Sequence, residues 1–199
     1  TKTAPTFSVA PLCTVVVDAG HGEPDGGAVG VNGTLEKDIN LSIAIKIQEV
    51  LESRGVKVIM TRTDDNSIHS SDAQTLHEKK VSDMHKRESI INNSGADLFL
   101  SIHMNSFTDT SASGLHVFYS RNHPEAENLA VSIQDELTNI THAKAHTVKT
   151  ASETLYLMKN PVPPAILVEC GFLSNPQEEE LLNDELYQSK IAFAIANAI

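Results

Sequence analysis

Val15-Val16-Val17-Asp18-Ala19-Gly20-His21-Gly22 is the stretch from which the rest of the chain can be read. Three β-branched residues in a row read as a buried strand. The run stops at Asp18-Ala19-Gly20, where small residues let the backbone turn sharply and approach whatever lies beside it. His21 is thereby presented at a strand end, with a glycine on each side. A loop holding six glycines from Gly20 to Gly33 then leads to Glu36, at the head of a helical pattern. A histidine at a strand end and a carboxylate at a helix start can converge on one metal ion. Taken singly, either residue is equally well read as an ordinary polar loop residue.

Outward from this stretch, Leu35, Ile39, Ile43, Ile47, Val50 and Leu51 fall on one face of a helix that runs to Ser53. Gly55 closes it, and Val56 to Thr61 is the next strand. Strand, helix, strand in that order is a βαβ unit with parallel strands. Thr63 to Gln74 is polar and reads as a surface loop, and Val81, Met84, Glu88 and Ile91 suggest a second helix ending near Gly95. Asp97 to His103 is a third strand, and it too stops at a histidine. Leu115 to Ser120 is a fourth strand, Pro124 to Ile140 a third helix, and Thr141 to Thr150 irregular. Leu155 to Met158 reads as a short strand, Ala165 to Glu169 as the last strand, and Leu181 to Ile199 as one closing helix. The expected fold class is α/β. It is a single three-layer domain with a mixed, mainly parallel sheet of about six strands and helices on both faces. Residues 1–12 are expected to be an N-terminal extension and 13–199 the single domain.

Forty per cent hydrophobic residues can fill a core without a disulfide or metal staple. The formal net charge of -11, with no basic block, disfavours nucleic acid and anionic membrane surfaces as partners. Two cysteines, Cys13 and Cys170, lie in or beside apolar runs and read as free buried thiols, with a single bridge as the alternative. No apolar stretch is long enough to span a bilayer. Thr1 to Pro11 lacks a basic segment followed by an apolar one, so an exported protein would carry its signal or anchor outside these residues.

Sites in open α/β sheets form outside the carboxyl ends of the strands. Three strands here end at His21, His103 and Glu169. Two imidazoles and one carboxylate make a catalytic zinc ligand set with a position left open, and Glu36 is the best candidate for the carboxylate. Glu169 ends an apolar strand, where a carboxylate is costly unless paired or used. It is assigned as the general base that takes a proton from water and passes it to the leaving group. The alternative is a structural partner for a nearby Lys or Arg.

The chain resembles the zinc-dependent N-acetylmuramoyl-L-alanine amidases of bacterial cell walls. The matching stretches are VDAGHG (17–22), DGGAVG (25–30), LEKDINL (35–41), TR (61–62), ADLFLSIHMNS (96–106) and VECGFLSNP (168–176). The resemblance implies His21, Glu36 and His103 as Zn²⁺ ligands and Glu169 as the catalytic glutamate. It also implies the reaction, hydrolysis of the amide joining N-acetylmuramic acid to L-Ala of the peptidoglycan stem peptide. Ala19, Met104 and Ser106 stand where the family more often has Pro, Ala and Ala. Residues 75–93 and 155–160 look most like the sporulation and germination branch, which trims stem peptides in the spore cortex on the way to muramic-δ-lactam. That implies an exported or membrane-anchored protein of the cell envelope or spore cortex. With no wall-binding repeat in the sequence, an envelope or spore partner protein, or an anchor, would localise it.

Asn105 and Arg87 are candidate substrate-binding donors, with a helix-surface salt bridge as the favoured reading of Arg87. His142 and His146, four apart, would share a helix face only if that segment were helical, so exposure is the simpler reading. His69, His77 and His85 read as solvated, and His116 either faces substrate or packs. Leu98, Phe99 and Leu100 read as core. A zinc peptidase or deacetylase on another wall amide, and a non-catalytic wall-binding module, are the competing functions. Release of free stem peptide separates the first, and loss of a ligand or of the base would mark the second.

Overall fold

In a computed structural model describing residues 12–199, the sheet has six strands in the order β2-β1-β3-β6-β4-β5. The strands are β1 (Thr14–Ala19), β2 (Lys57–Met60), β3 (Leu98–Asn105), β4 (His116–Tyr119), β5 (Lys149–Thr150) and β6 (Ala165–Phe172). β2, β1, β3 and β6 are parallel, while β4 runs antiparallel to β6 and carries β5 at the edge. The expected α/β class and mixed, mainly parallel sheet are therefore what the chain forms. Of the expected N-terminal extension, 1–12, all but Leu12 lies outside the described residues.

The helices are α1 (Glu36–Ser53), α2 (Leu76–Asn93), α3 (Ala126–Thr141), α4 (Pro176–Leu182) and α5 (Glu185–Ala198). α1, α3 and α5 cover one face of the sheet. There Ile43, Ile47, Ile133, Leu137, Ile191 and Ile195 pack on Val17, Leu100, Ile102, Ile166 and Val168. The other face has a smaller cluster, in which Ile91 of α2 and Met158 meet Val16, Phe99, Ala165 and Leu167. Side chains alternate along a strand. His103 and Glu169 therefore project on the same face as Phe99 and Leu167, beyond the small cluster that ends before them.

Several expected elements are corrected. Lys149–Thr150, in a stretch expected to be irregular, pairs with β4 as β5, and β6 runs on to Phe172, so Glu169 lies inside that strand rather than at its end. Leu155 to Met158 is not a strand: Tyr156–Met158 is a 3₁₀ turn beside α2, closed by Met158 N–H to Leu155 O at 2.9 Å. An apolar run this short carries no period that separates a strand from a buried turn. The closing helix is two helices. Asn175 caps the first through Gln177 and Glu178 N–H, and Asp184 caps the second through Tyr187 N–H at 2.7 Å. Each cap satisfies first-turn donors and so starts a new helix where continuous apolar spacing suggested one. Both cysteines are free thiols, as expected, Cys170 buried and Cys13 half-buried.

Candidate metal centre

His21, Glu36 and His103 converge at the carboxyl edge of the sheet, with their ligand atoms all within 4.8 Å of one another. His21 Nε2 lies 3.1 Å from Glu36 Oε2, and His103 Nδ1 lies 2.9 Å from Glu36 Oε1. The imidazole rings stand edge to face, 5.1 Å apart.

Each member is held by the backbone around it. Leu35 offers no side-chain cap to α1; instead Glu36 N–H donates to Ala28 O and Lys37 N–H to Gly26 O. The glycine loop thus satisfies donors that a helix start leaves open. Glu36 in turn accepts from Ala28 N–H at 2.8 Å and Met104 N–H at 3.1 Å, so both its oxygens are oriented. Lys37, next in sequence, points away into Asp65, Asp38 and Glu23. His21 has φ of 62°, in the left-handed region that a non-glycine residue rarely occupies.

Asp25 Oδ2 lies 3.0 Å from His21 Nδ1. A carboxylate on one ring nitrogen fixes the orientation of the other, the usual support of a metal-binding histidine. Beneath the loop lies Asp18, buried, which accepts from Arg87 Nη1 at 2.6 Å, Thr61 Oγ1 at 2.7 Å and Ser101 Oγ at 2.7 Å. Arg87 also donates to Asp83, Ala19 O and His21 O, and Arg62 donates to Ala19 O, Gly20 O and Lys37 O. Two guanidinium groups therefore collect the carbonyls of the His21 loop and of the first turn of α1.

Arg87 is 0% exposed, which corrects the surface salt-bridge reading. It does form ion pairs, with Asp18 and Asp83, but inside the protein, and every guanidinium nitrogen bonds to protein. Asn105 is half-buried on β3, two residues past His103, and borders a cleft. Asp25, Asp18 and Arg62 were not singled out from the sequence, although all three sit in or at the ends of the matching stretches. Their partners are backbone carbonyls and distant side chains, which spacing does not reveal.

Glu169 stands on the same rung as His103 in the β3–β6 register. Its Oε2 is buried without a hydrogen-bond partner, and no Lys or Arg pairs with it among the described residues. Burial pushes its carboxyl above the usual range and Glu36 adds to this, while His103 and His21 oppose it. Burial also works against a protonated His21, but Asp25 and Glu36 outweigh it and raise the imidazole to about 9. Burial would raise Glu36, yet His103 and His21 hold it far below the carboxylate range.

These residues fit a metal ion. Two imidazoles and a carboxylate are the donors of catalytic zinc sites. The backbone leaves space around them: a Cβ on Gly20 would run into the His103 ring, and one on Gly27 into Glu36 and His21. The bare Glu169 oxygen is a buried polar group whose partner must come from outside the protein.

His142 does not share a helix face with His146: it ends α3 with a left-handed φ of 59°, and His146 lies beyond it, bonded to Ser113 O. His77 and His85 are exposed, as expected, whereas His69 is half-buried against Ser67. Leu98, Phe99 and Leu100 are core.

A donor set at the carboxyl edge of a parallel sheet, with a second acid beside it, defines a class of hydrolytic α/β enzymes. Within that class, the chain belongs to the N-acetylmuramoyl-L-alanine amidase family, whose sequence profile matches residues 15–199. It is 39% identical over 185 residues to the germination-specific N-acetylmuramoyl-L-alanine amidase of Bacillus subtilis, covering 93% of this chain and 77% of that protein. It is 31% identical over 228 residues to the amidase AmiA of Escherichia coli, covering 93% and 74%. Among solved structures it is similar to the CwlD amidase of Clostridioides difficile in complex with the GerS lipoprotein. That likeness has 41% identity and a TM-score of 0.90, covering 94% of this chain and 95% of that one. The catalytic domain of the Bacillus (Paenibacillus) polymyxa amidase CwlV gives 30% identity and a TM-score of 0.81, covering 94% and 96%. The chain is accordingly an enzyme of peptidoglycan amide hydrolysis, and the binding-module and peptidase readings give way to it.

Proposed function

We propose that this amidase uses Zn²⁺ held by His21, Glu36 and His103, with Glu169 as its general base. The observation that carries the reading is the buried, unpartnered Glu169 Oε2 one strand away from His103. Bound there, zinc would polarise the scissile carbonyl and make water a better nucleophile. Asp25 keeps His21 Nε2 turned towards Glu36. Glu169 takes the proton from water as its oxygen adds to the lactyl carbonyl. It returns that proton to the L-Ala nitrogen as the C–N bond breaks, leaving a muramyl carboxylate and a free stem peptide. Asn105, at the edge of the cleft, is the candidate donor to substrate.

A role in spore cortex maturation, by the muramic-δ-lactam route, is supported by the likeness to the germination-specific relative. The similar CwlD structure holds a lipoprotein, which supports an envelope or spore partner for this chain as well. Both likenesses support a location outside the cytoplasm, at the cell envelope or cortex; no described helix is long and apolar enough to cross a membrane.

The test combines metal analysis with mass spectrometry of digested peptidoglycan. The zinc-loaded protein is expected to release peptides beginning with L-Ala, and His103→Ala to lose zinc on dialysis. Cleavage at an internal peptide bond only, or full zinc retention by His103→Ala, would overturn the reading.

A further inference from the structure

The rung that carries His103 and Glu169 continues onto the next strand. His116 of β4 stands opposite Glu169. Past this rung, Asn105 and Phe172 continue β3 and β6 into a cleft of about 320 Å³, shared with His116, Lys144, His146 and Ser111. No acidic side chain lines it, although Glu178 lies just behind its wall, its carboxylate taken up by Gly114 and Phe172 N–H. Such a lining stands out in a chain with 26 acidic residues against 15 basic ones.

The backbone that carries Lys144 and His146 is fixed in place. Leu115 N–H donates to Lys144 O at 2.7 Å, and His146 N–H donates to Leu115 O at 3.0 Å. His146 Nε2 bonds Ser113 O at 2.9 Å. Gly114 has φ of 108°, and any Cβ there would strike the Lys144 carbonyl, so only glycine allows this close approach. The His146 ring lies edge-on to His116 at 4.0 Å, and Phe172 flanks His116 at 5.7 Å. Behind these rings, His116 Nε2 has no hydrogen-bond partner. Burial first, then His146 and Lys149, push the His116 imidazole below its ordinary value.

We infer that this cleft binds a carboxylate of the substrate's peptide arm, with Lys144 as the charge partner and the His116–His146 pair as its polar wall. The chemistry of the two arms decides which one enters. N-acetylated hexosamines are neutral, whereas a stem peptide ends in a carboxylate. A cleft lined by a lysine and two histidines, and by no acid, suits the peptide. Lys144 and the two histidines are then specificity residues for the reaction proposed above, on which this inference rests.

Binding is read on Glu169→Gln protein loaded with zinc, by calorimetry. The probes are N-acetylmuramyl-L-alanyl-D-glutamate and its diamide. A charge-assisted contact should favour the acid by about 10-fold. Lys144→Met should remove about 10-fold from the acid and leave the diamide unchanged, and added salt should narrow the preference. His146→Phe should weaken the acid as well, with zinc content kept. Equal binding of the two probes, or a preference that survives in the Lys144→Met/His146→Phe double variant, would overturn the subsite. Cleavage of the probes by the unmodified enzyme reports separately. Preference without cleavage keeps the subsite and counts against the amidase reading; cleavage without preference does the reverse.

Discussion

His103 and Glu169 occupy one rung of two neighbouring parallel strands. Adjacent strands lie about 4.8 Å apart, and side chains on one rung point the same way. The hydrogen-bonding register therefore sets the separation between a metal-binding imidazole and the acid beside it. Sheet architecture does what a flexible loop could not: it holds the two at fixed spacing without any direct bond between them.

Glu169→Gln keeps the shape of the side chain and removes its capacity to accept a proton. Turnover is expected to fall by about 10²–10⁴-fold, the usual share of a general base. Zinc content and thermal midpoint should stay at the parental level, because Oε2 makes no hydrogen bond that the change could break. Steady-state kinetics and metal analysis on one preparation check this, and parental turnover would remove Glu169 from the mechanism.

Asp25→Asn leaves an amide where a carboxylate meets His21 Nδ1 at 3.0 Å. The expected result is a loss of about 10–100-fold in zinc affinity with the fold intact, the cost typical of removing such a support. Competition against a chelator of known affinity measures it. Unchanged affinity would show that the left-handed backbone at His21 is enough to orient the ring.

Arg87→Met strands Asp18 and releases three backbone and side-chain anchors of the His21 loop. Breaking a buried pair by removing one partner costs roughly 3–5 kcal/mol. Urea unfolding is expected to show a loss of that order, together with weaker zinc retention. A loss below about 1 kcal/mol would mean that the guanidinium merely fills space.

Acid stability follows from Asp18. Burial would raise its carboxyl, but Arg87 first, then His103, Thr61 and Ser101, bring it down to about 2 from the ordinary 3.8. A depressed acid stabilises the fold above its unfolded value and loses that contribution as pH falls through the folded one. The contribution is about 2 kcal/mol, lost between about pH 4 and pH 2. Urea unfolding of the parent and of Asp18→Asn across that window should converge as pH falls. Curves that stay parallel would show that Asp18 is not the titrating group.

The sequence by itself determined the βαβ start, the strands that bring His21 and His103 to the carboxyl edge of the sheet, and the helix that begins at Glu36. These rest on local signals: a period of side chains, a β-branched run, a glycine turn. It also pointed to the candidate donor set, His21 and His103 from strands whose carboxyl ends meet at one edge of the sheet and Glu36 from the head of α1. The tertiary structure alone decided Arg87. On a helix with few apolar residues an arginine reads as solvated, and it becomes internal here only because Asp18, 69 residues earlier, is buried opposite it. Asp25 orienting His21, the bare oxygen of Glu169 and the basic cleft around Lys144 belong to the same kind. The split of the last helix at Asn183-Asp184 and the 3₁₀ turn at Tyr156–Met158 do too. Each depends on which groups are left to pair once water is excluded, and that is a property of neighbours in space rather than along the chain.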